Sequence, residues 1–220
     1  MTVKKAYRSP LRAAQAQATR RAIVAAAAEL FMQHGYGPTS VDAIAERAGV
    51  SRKTVFTSVG GKAQTLKLAL DWATAGDDEP VPVLERPHVQ AALQEPDARR
   101  ILTDFAGDVL EVMSRTAGVV AVLHGAVGLD ADLRALHEDL LAQRLLGMRF
   151  LAGLLEQRGA LRPELTISDA AHLLCVFNDV GVYVRLVIEQ SWEPDRYRRW
   201  LAETLVAQLL TPSYRPKLRV

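Results

Sequence analysis

Val41-Asp42-Ala43-Ile44-Ala45-Glu46-Arg47-Ala48-Gly49-Val50-Ser51-Arg52-Lys53-Thr54-Val55-Phe56 reads as two short helices joined at a glycine. Two helices that cross steeply must touch through a small side chain, and Ala45 supplies one. The turn needs a residue that accepts positive φ without strain, and Gly49 stands four positions later. Ile44, Ala48, Val50 and Val55 make the apolar set that clamps the pair to a preceding helix. Ser51 is placed to cap the second helix, which leaves its first-turn N–H groups and positive dipole end facing outward.

An outward helix start of this kind fits the major groove of double-stranded DNA. Early residues reach base edges, while amides and cations hold phosphates. Arg52, Lys53, Thr54 and Thr57 lie on the turns that would face the duplex. Arg and Lys donate to guanine O6 and N7, and Thr offers a hydroxyl or a methyl. Phe56 fits against a sugar or a thymine methyl. Lys62 is expected over the backbone, and Thr39, Ser40 and Ser51 complete the expected contact set.

Working outward, residues 18–34 place Ile23, Ala27, Leu30, Phe31 and His34 on one helical face, and Gly35 and Gly37 end it. A helix over 40–48 follows, with Thr39 and Asp42 spaced as a capping box. Further helices are expected at 51–58 and from Gly61 to Ala75. Asp77-Asp78-Glu79-Pro80-Val81-Pro82 and Arg86-Pro87 cannot continue a helix, so the domain boundary falls there. Beyond it the periodicity predicts helices at about 88–95, 97–116, 118–128, 131–158, 167–190 and 194–210. The chain is therefore all-α, with a basic arm at 1–17, a head at 18–76, a helical body at 77–211 and a frayed tail at 212–220.

Charge agrees with that division. Residues 1–67 carry a net charge of +8 and residues 68–220 a net of −6, within a total of +2 over 220 residues. A basic head on an acidic body suits a polyanion-binding unit on a carrier that stays off the polyanion. With 49% apolar residues the chain can bury a core. No stretch reaches about 20 uncharged apolar residues, and the start lacks a secretory pattern, so a soluble cytoplasmic protein with no membrane partner is expected. Cys175 is the single cysteine and reads as a small core hydrophobe. The five histidines lack metal-ligand spacing, so no metal and no cofactor are expected.

The order and spacing of several pieces resemble the DNA-binding domain of the TetR (tetracycline-repressor-like) family of transcriptional regulators over residues 16–75. These are Arg20-Arg21-Ala22-Ile23, Ala27, Glu29-Leu30-Phe31 and Gly35-Tyr36-Gly37-Pro38-Thr39-Ser40-Val41. Ile44 to Ser51, Thr54-Val55-Phe56, Lys62 and Leu66 follow in step. The glycine-free end from Val182 to Val220, with Trp192, Pro194, Tyr197 and Trp200-Leu201, is similar to the family's last two helices. Where the family commonly carries a tyrosine, a second aromatic and a phenylalanine, this chain has Phe56, Ser58 and Val59. Ala63 replaces a common glutamate. Affinity would then lean on Arg52, Lys53, Lys62 and the arm, and fall steeply with salt.

The resemblance implies a homodimer built on the last two long helices, and Val180, Val184, Val187, Leu201, Leu205 and Leu209 are the expected interface. It also implies a pocket for a small apolar or amphipathic ligand. Phe105, Val109, Met113, His124, Met148, Phe177 and Asn178 are its expected lining. The function these features imply is a dimeric repressor released from a palindromic operator by that ligand. The alternative is a DNA-binding regulator with no ligand. An enzyme is disfavoured: Asp77-Asp78-Glu79 could form a magnesium-binding acidic box only on a helix, and Val81-Pro82 forbids one.

Overall fold

The computed structural model describes residues 10–216. Residues 1–9 of the arm expected at 1–17 and the last four residues of the expected tail lie outside the described residues. Residues 10–17 of that arm are helical and begin the first helix, instead of the expected start at residue 18. Ten α-helices follow one another among the described residues: α1 (Pro10–His34), α2 (Val41–Arg47), α3 (Arg52–Val59), α4 (Lys62–Ala75), α5 (Pro87–Gln94), α6 (Ala98–Ala126), α7 (Ala131–Gln157), α8 (Ile167–Phe177), α9 (Val180–Tyr183) and α10 (Pro194–Leu209). A 3-10 turn at Val83–Glu85 precedes α5, and a π-helical segment at Val184–Glu189 extends α9.

The chain separates into two compact units. One contains residues up to Asp78 together with Gly118–His137, and the other contains Glu79–Ala117 and Glu138 onward. The first division thus falls inside the acidic, proline-rich segment, and residues 118–137 group with the head. In this first unit α1 packs against α2, α3 and α4. Ile23, Val24, Ala27, Leu30 and Phe31 on α1, Ile44 and Ala45 on α2, Val55 and Val59 on α3, and Leu66 and Leu70 on α4 are its buried core. His34, expected on the same face of α1, is exposed.

The core of the second unit gathers Ile101, Leu102, Ala106, Val109 and Met113 from α6 with Leu151, Leu154 and Leu155 from α7. Leu174 of α8 and Leu201, Leu205 and Leu209 of α10 complete it. These α6 residues recur at helical spacing, which is why α6 is both long and apolar. By length and hydropathy it is the single unbroken helix among the described residues that could cross a membrane.

Three expectations change here. The helices expected at 97–116 and 118–128 are one continuous helix, because Gly118 does not interrupt it. A Cβ there would stand 2.7 Å from the Met32 sulfur, so the glycine is a contact point with α1. The helix expected at 167–190 is broken instead. Asn178 ends α8, and Asp179 turns extended and caps α9 by accepting from the Gly181 N–H at 2.8 Å. Finally, the tail is not frayed at Tyr214, which is buried. Its hydroxyl accepts from the Ala98 N–H at 3.1 Å and donates to the Pro96 carbonyl at 3.2 Å, tying the chain's end to the start of α6.

Candidate nucleic-acid interface

The α2–α3 turn is built as its residues require. The Val50 N–H bonds the Ala45 carbonyl at 3.0 Å and the Gly49 N–H bonds the Glu46 carbonyl at 3.1 Å, a Schellman closure. Gly49 takes φ +67°, which a side chain would strain. Ala45 is buried at the crossing. Ser51 then caps α3, its hydroxyl oxygen accepting from the Thr54 N–H at 3.1 Å. The cap of α2 is Ser40, accepting from the Ala43 N–H at 3.0 Å, and not the Thr39–Asp42 box expected from spacing.

On α3, Val55 and Val59 are buried while Arg52, Lys53, Phe56 and Thr57 are exposed. This spacing puts the four exposed residues on one side of the helix. Arg52 lies 5.4 Å from the Phe56 ring centroid and is ion-paired to Asp42 of α2. The pair is exposed, so it orders the side chain more than it stabilises the fold. Phe56 keeps 46% of its surface exposed, which is costly in water and suits contact with a sugar or a methyl group. The Thr57 hydroxyl has the Lys53 and Thr54 carbonyls within reach, at 3.0 and 3.2 Å. Its methyl and oxygen lone pairs are then what it offers a base. Thr54 shares a 2.8 Å hydroxyl contact with Ser51.

Two expected contact residues lie elsewhere. Thr39 is 3% exposed, and its hydroxyl has the Leu30 and Gly35 carbonyls at 3.2 and 2.8 Å. It fastens the α1–α2 loop and has no free face for a duplex. Lys62 begins α4 but turns inward. Its ammonium donates to the Tyr36 carbonyl at 2.8 Å and the Gly37 carbonyl at 3.3 Å, and sits 4.1 Å from the Tyr36 ring centroid. Burial lowers its pKa, against an opposing pull from Asp130. Tyr36 itself is buried against Phe31, and its pKa is pushed up to about 12, first by burial and then by Asp130.

A shallow cleft of about 380 Å³ runs beside α3, lined by Ala16, Gln17, Arg20, Thr57, Ser58, Trp72 and Asp78. Arg20 bridges it, donating to the Ser58 carbonyl at 3.1 Å. Spacing alone gave no sign of it, since its walls come from three helices.

Of the expected pocket lining, Val109 and Met113 are buried in the body core, and Phe105, Met148 and Phe177 pack against it. Asn178 joins them, its side-chain amide 3.8 Å from the Met148 sulfur. His124 does not. It is exposed, edge-on to His137 at 5.2 Å, in the same unit as the head. The expected interface divides likewise. Leu201, Leu205 and Leu209 are fully buried in their own core, so the α10 apolar stripe serves the protomer. Val180, Val184 and Val187 are partly buried, with Val176 and Ile188 exposed at 58% and 60%. Among the described residues the buried Tyr197 hydroxyl finds no hydrogen-bond partner, a detail no sequence pattern signals. Among the described residues there is no cluster of three or more His, Cys, Asp or Glu able to hold a metal.

Fold and site together define a helix-turn-helix DNA-binding regulator. The sequence model of the family described as "Bacterial regulatory proteins, tetR family" matches residues 23–67. An uncharacterized HTH-type transcriptional regulator of Bacillus subtilis, YdeS, is 30% identical over 187 residues, covering 83% of this chain and 85% of the relative. SrpR, an HTH-type transcriptional regulator of Pseudomonas putida, is 40% identical over 58 residues, 26% of this chain and 27% of SrpR. The crystal structure of NalD, the secondary repressor of a multidrug efflux pump in Pseudomonas aeruginosa, superposes with a TM-score of 0.68 at 24% identity. It covers 89% of this chain and 98% of NalD. The chain belongs to the TetR family of transcriptional regulators, DNA-binding proteins and not enzymes.

Proposed function

We propose that this regulator is a homodimeric repressor that binds a palindromic operator through α3 and leaves it when a small apolar or amphipathic molecule enters the body. The observation that carries the DNA reading is the exposed face of α3, where Arg52, Lys53, Phe56 and Thr57 stand out while Val55 and Val59 are buried. One such helix spans only a few base pairs, so specificity calls for two copies about 34–36 Å apart on the duplex. The exposed Val176 and Ile188, with Val180, Val184 and Val187 beside them, are the apolar surface a second copy would cover. The ligand reading rests on Phe105, Val109, Met113, Met148, Phe177 and Asn178 sharing one apolar region with a single amide among them. Such a regulator works in the cytoplasm, alongside the chromosome. NalD is a secondary repressor, which supports the direction of control.

Selection of bound sequences from random duplexes tests this reading. The expected product is a palindrome with half-sites one helical turn apart. An unpatterned pool, or a single half-site bound by monomer, would refute it.

A further inference from the structure

Three elements meet at Tyr36. Its hydroxyl donates to Asp130 Oδ2 at 3.3 Å, while Asp130 Oδ1 accepts from the Asp132 N–H at 2.8 Å at the start of α7. Lys62, the first residue of α4, donates to the carbonyls of Tyr36 and Gly37 and covers the Tyr36 ring. A Cβ on Gly37 would lie 4.0 Å from a Leu129 methyl, so the turn before α7 touches the same loop. All of these residues belong to one compact unit. The loop they grip continues through Thr39, itself fastened to Leu30 and Gly35, into the Ser40 cap of α2. The start of α4, the start of α7 and the lead-in to the α2–α3 pair thus share one set of bonds.

We propose that Lys62, Tyr36 and Asp130 form a clamp that sets the position of the α2–α3 pair, with Lys62 a positioning residue and not a phosphate ligand. An ammonium has three N–H bonds to give, and here two carbonyls and a ring face surround it. The Asp130 carboxylate divides its two oxygens between the loop and α7. A shift of α7's first turn therefore has to stretch the bond to Tyr36 or carry the loop along. This inference rests on the DNA-binding reading and adds the route by which α7 influences that site.

The test measures affinity of the full-length protein for a selected duplex across a salt series. The variants are Lys62→Ala, Lys62→Arg, Tyr36→Phe, Asp130→Asn and Lys62→Ala with Asp130→Asn. Removing a negative charge from a DNA-binding unit should tighten binding if only charge mattered. The clamp predicts that Asp130→Asn weakens it, on the order of tenfold, the usual size of coupling between sites. Lys62→Ala should weaken binding without changing the slope of log affinity against log salt, and Lys62→Arg should restore part of the loss. The double variant should cost little more than the worse single one, as residues acting through one contact do. Should Lys62→Ala fail to fold, Tyr36→Phe and Asp130→Asn still decide the matter.

A Lys62→Ala slope flatter by about 0.9 per lost phosphate, with Asp130→Asn binding as tightly as the parent or more so, overturns the clamp. Parent protein that captures no duplex would instead remove the DNA reading, and the clamp with it.

Discussion

At Asp78 a single carboxylate receives the Arg21 Nε at 2.7 Å, the Arg21 Nη2 at 2.6 Å and the Gln17 amide at 3.1 Å. The acidic run after α4 reads in sequence as a non-helical domain boundary, yet one of its members holds α1. Nothing in local spacing pairs residue 78 with residues 17 and 21, because the partners meet only when α4 returns along α1. The Arg21 hydrogen bonds keep the Asp78 pKa low, at about 2 against an ordinary 3.8. A carboxylate depressed in the folded state stabilises it above the unfolded pKa, and that contribution disappears as pH falls through the folded one. Asp78→Asn should therefore lower the urea midpoint at neutral pH, and the gap from the parent should close between about pH 4 and pH 2. A gap that stays constant through that range would show that Asp78 contributes no charge-dependent stability.

The elements of the head are legible because their signals are local. A small residue at Ala45, a positive-φ glycine at Gly49 and a cap at Ser51 lie within seven positions, and each behaves as its chemistry requires. Sequence and structure part where a distant neighbour decides. Residue 117 reads as the gap between two helices, yet one helix runs through it, with Gly118 set against Met32. Asn178-Asp179 breaks a run that apolar periodicity carries through, and Asp179 is also held by Arg144 of α7 at 3.1 Å. Tyr214 is the clearest case, since residues after α10 have no helical pattern yet cap α6. Tyr214→Phe removes the acceptor for the buried Ala98 N–H, and an unmade buried bond costs about 1–3 kcal/mol. Chemical denaturation should show that loss with an unchanged m-value. A variant as stable as the parent would mean the closing segment is not part of the fold's support.

For the molecule as a whole, the apolar stripe of α10 shows why a surface assignment is harder than a fold assignment. Leu201, Leu205 and Leu209 form a regular face, and periodicity cannot tell whether a core or a second copy covers it. The structure assigns it to the protomer's core and leaves Val176 and Ile188 outward. The same limit applies to Lys62 and His124, whose residue types suit DNA or ligand contact while their surroundings give them other work. What sequence does convey is the outer face of α3, on which the proposed DNA recognition turns.

The most direct measurement is therefore made there. The full-length protein carrying Arg52→Ala, Lys53→Ala and Thr57→Ala together is compared with the parent for affinity to the selected duplex at fixed salt. Oligomeric state and melting temperature are checked alongside. Base-edge contacts are worth about 1–3 kcal/mol each, so recognition through α3 predicts a loss of at least about a hundredfold with the fold and assembly intact. Undiminished, sequence-selective binding by that variant would contradict it.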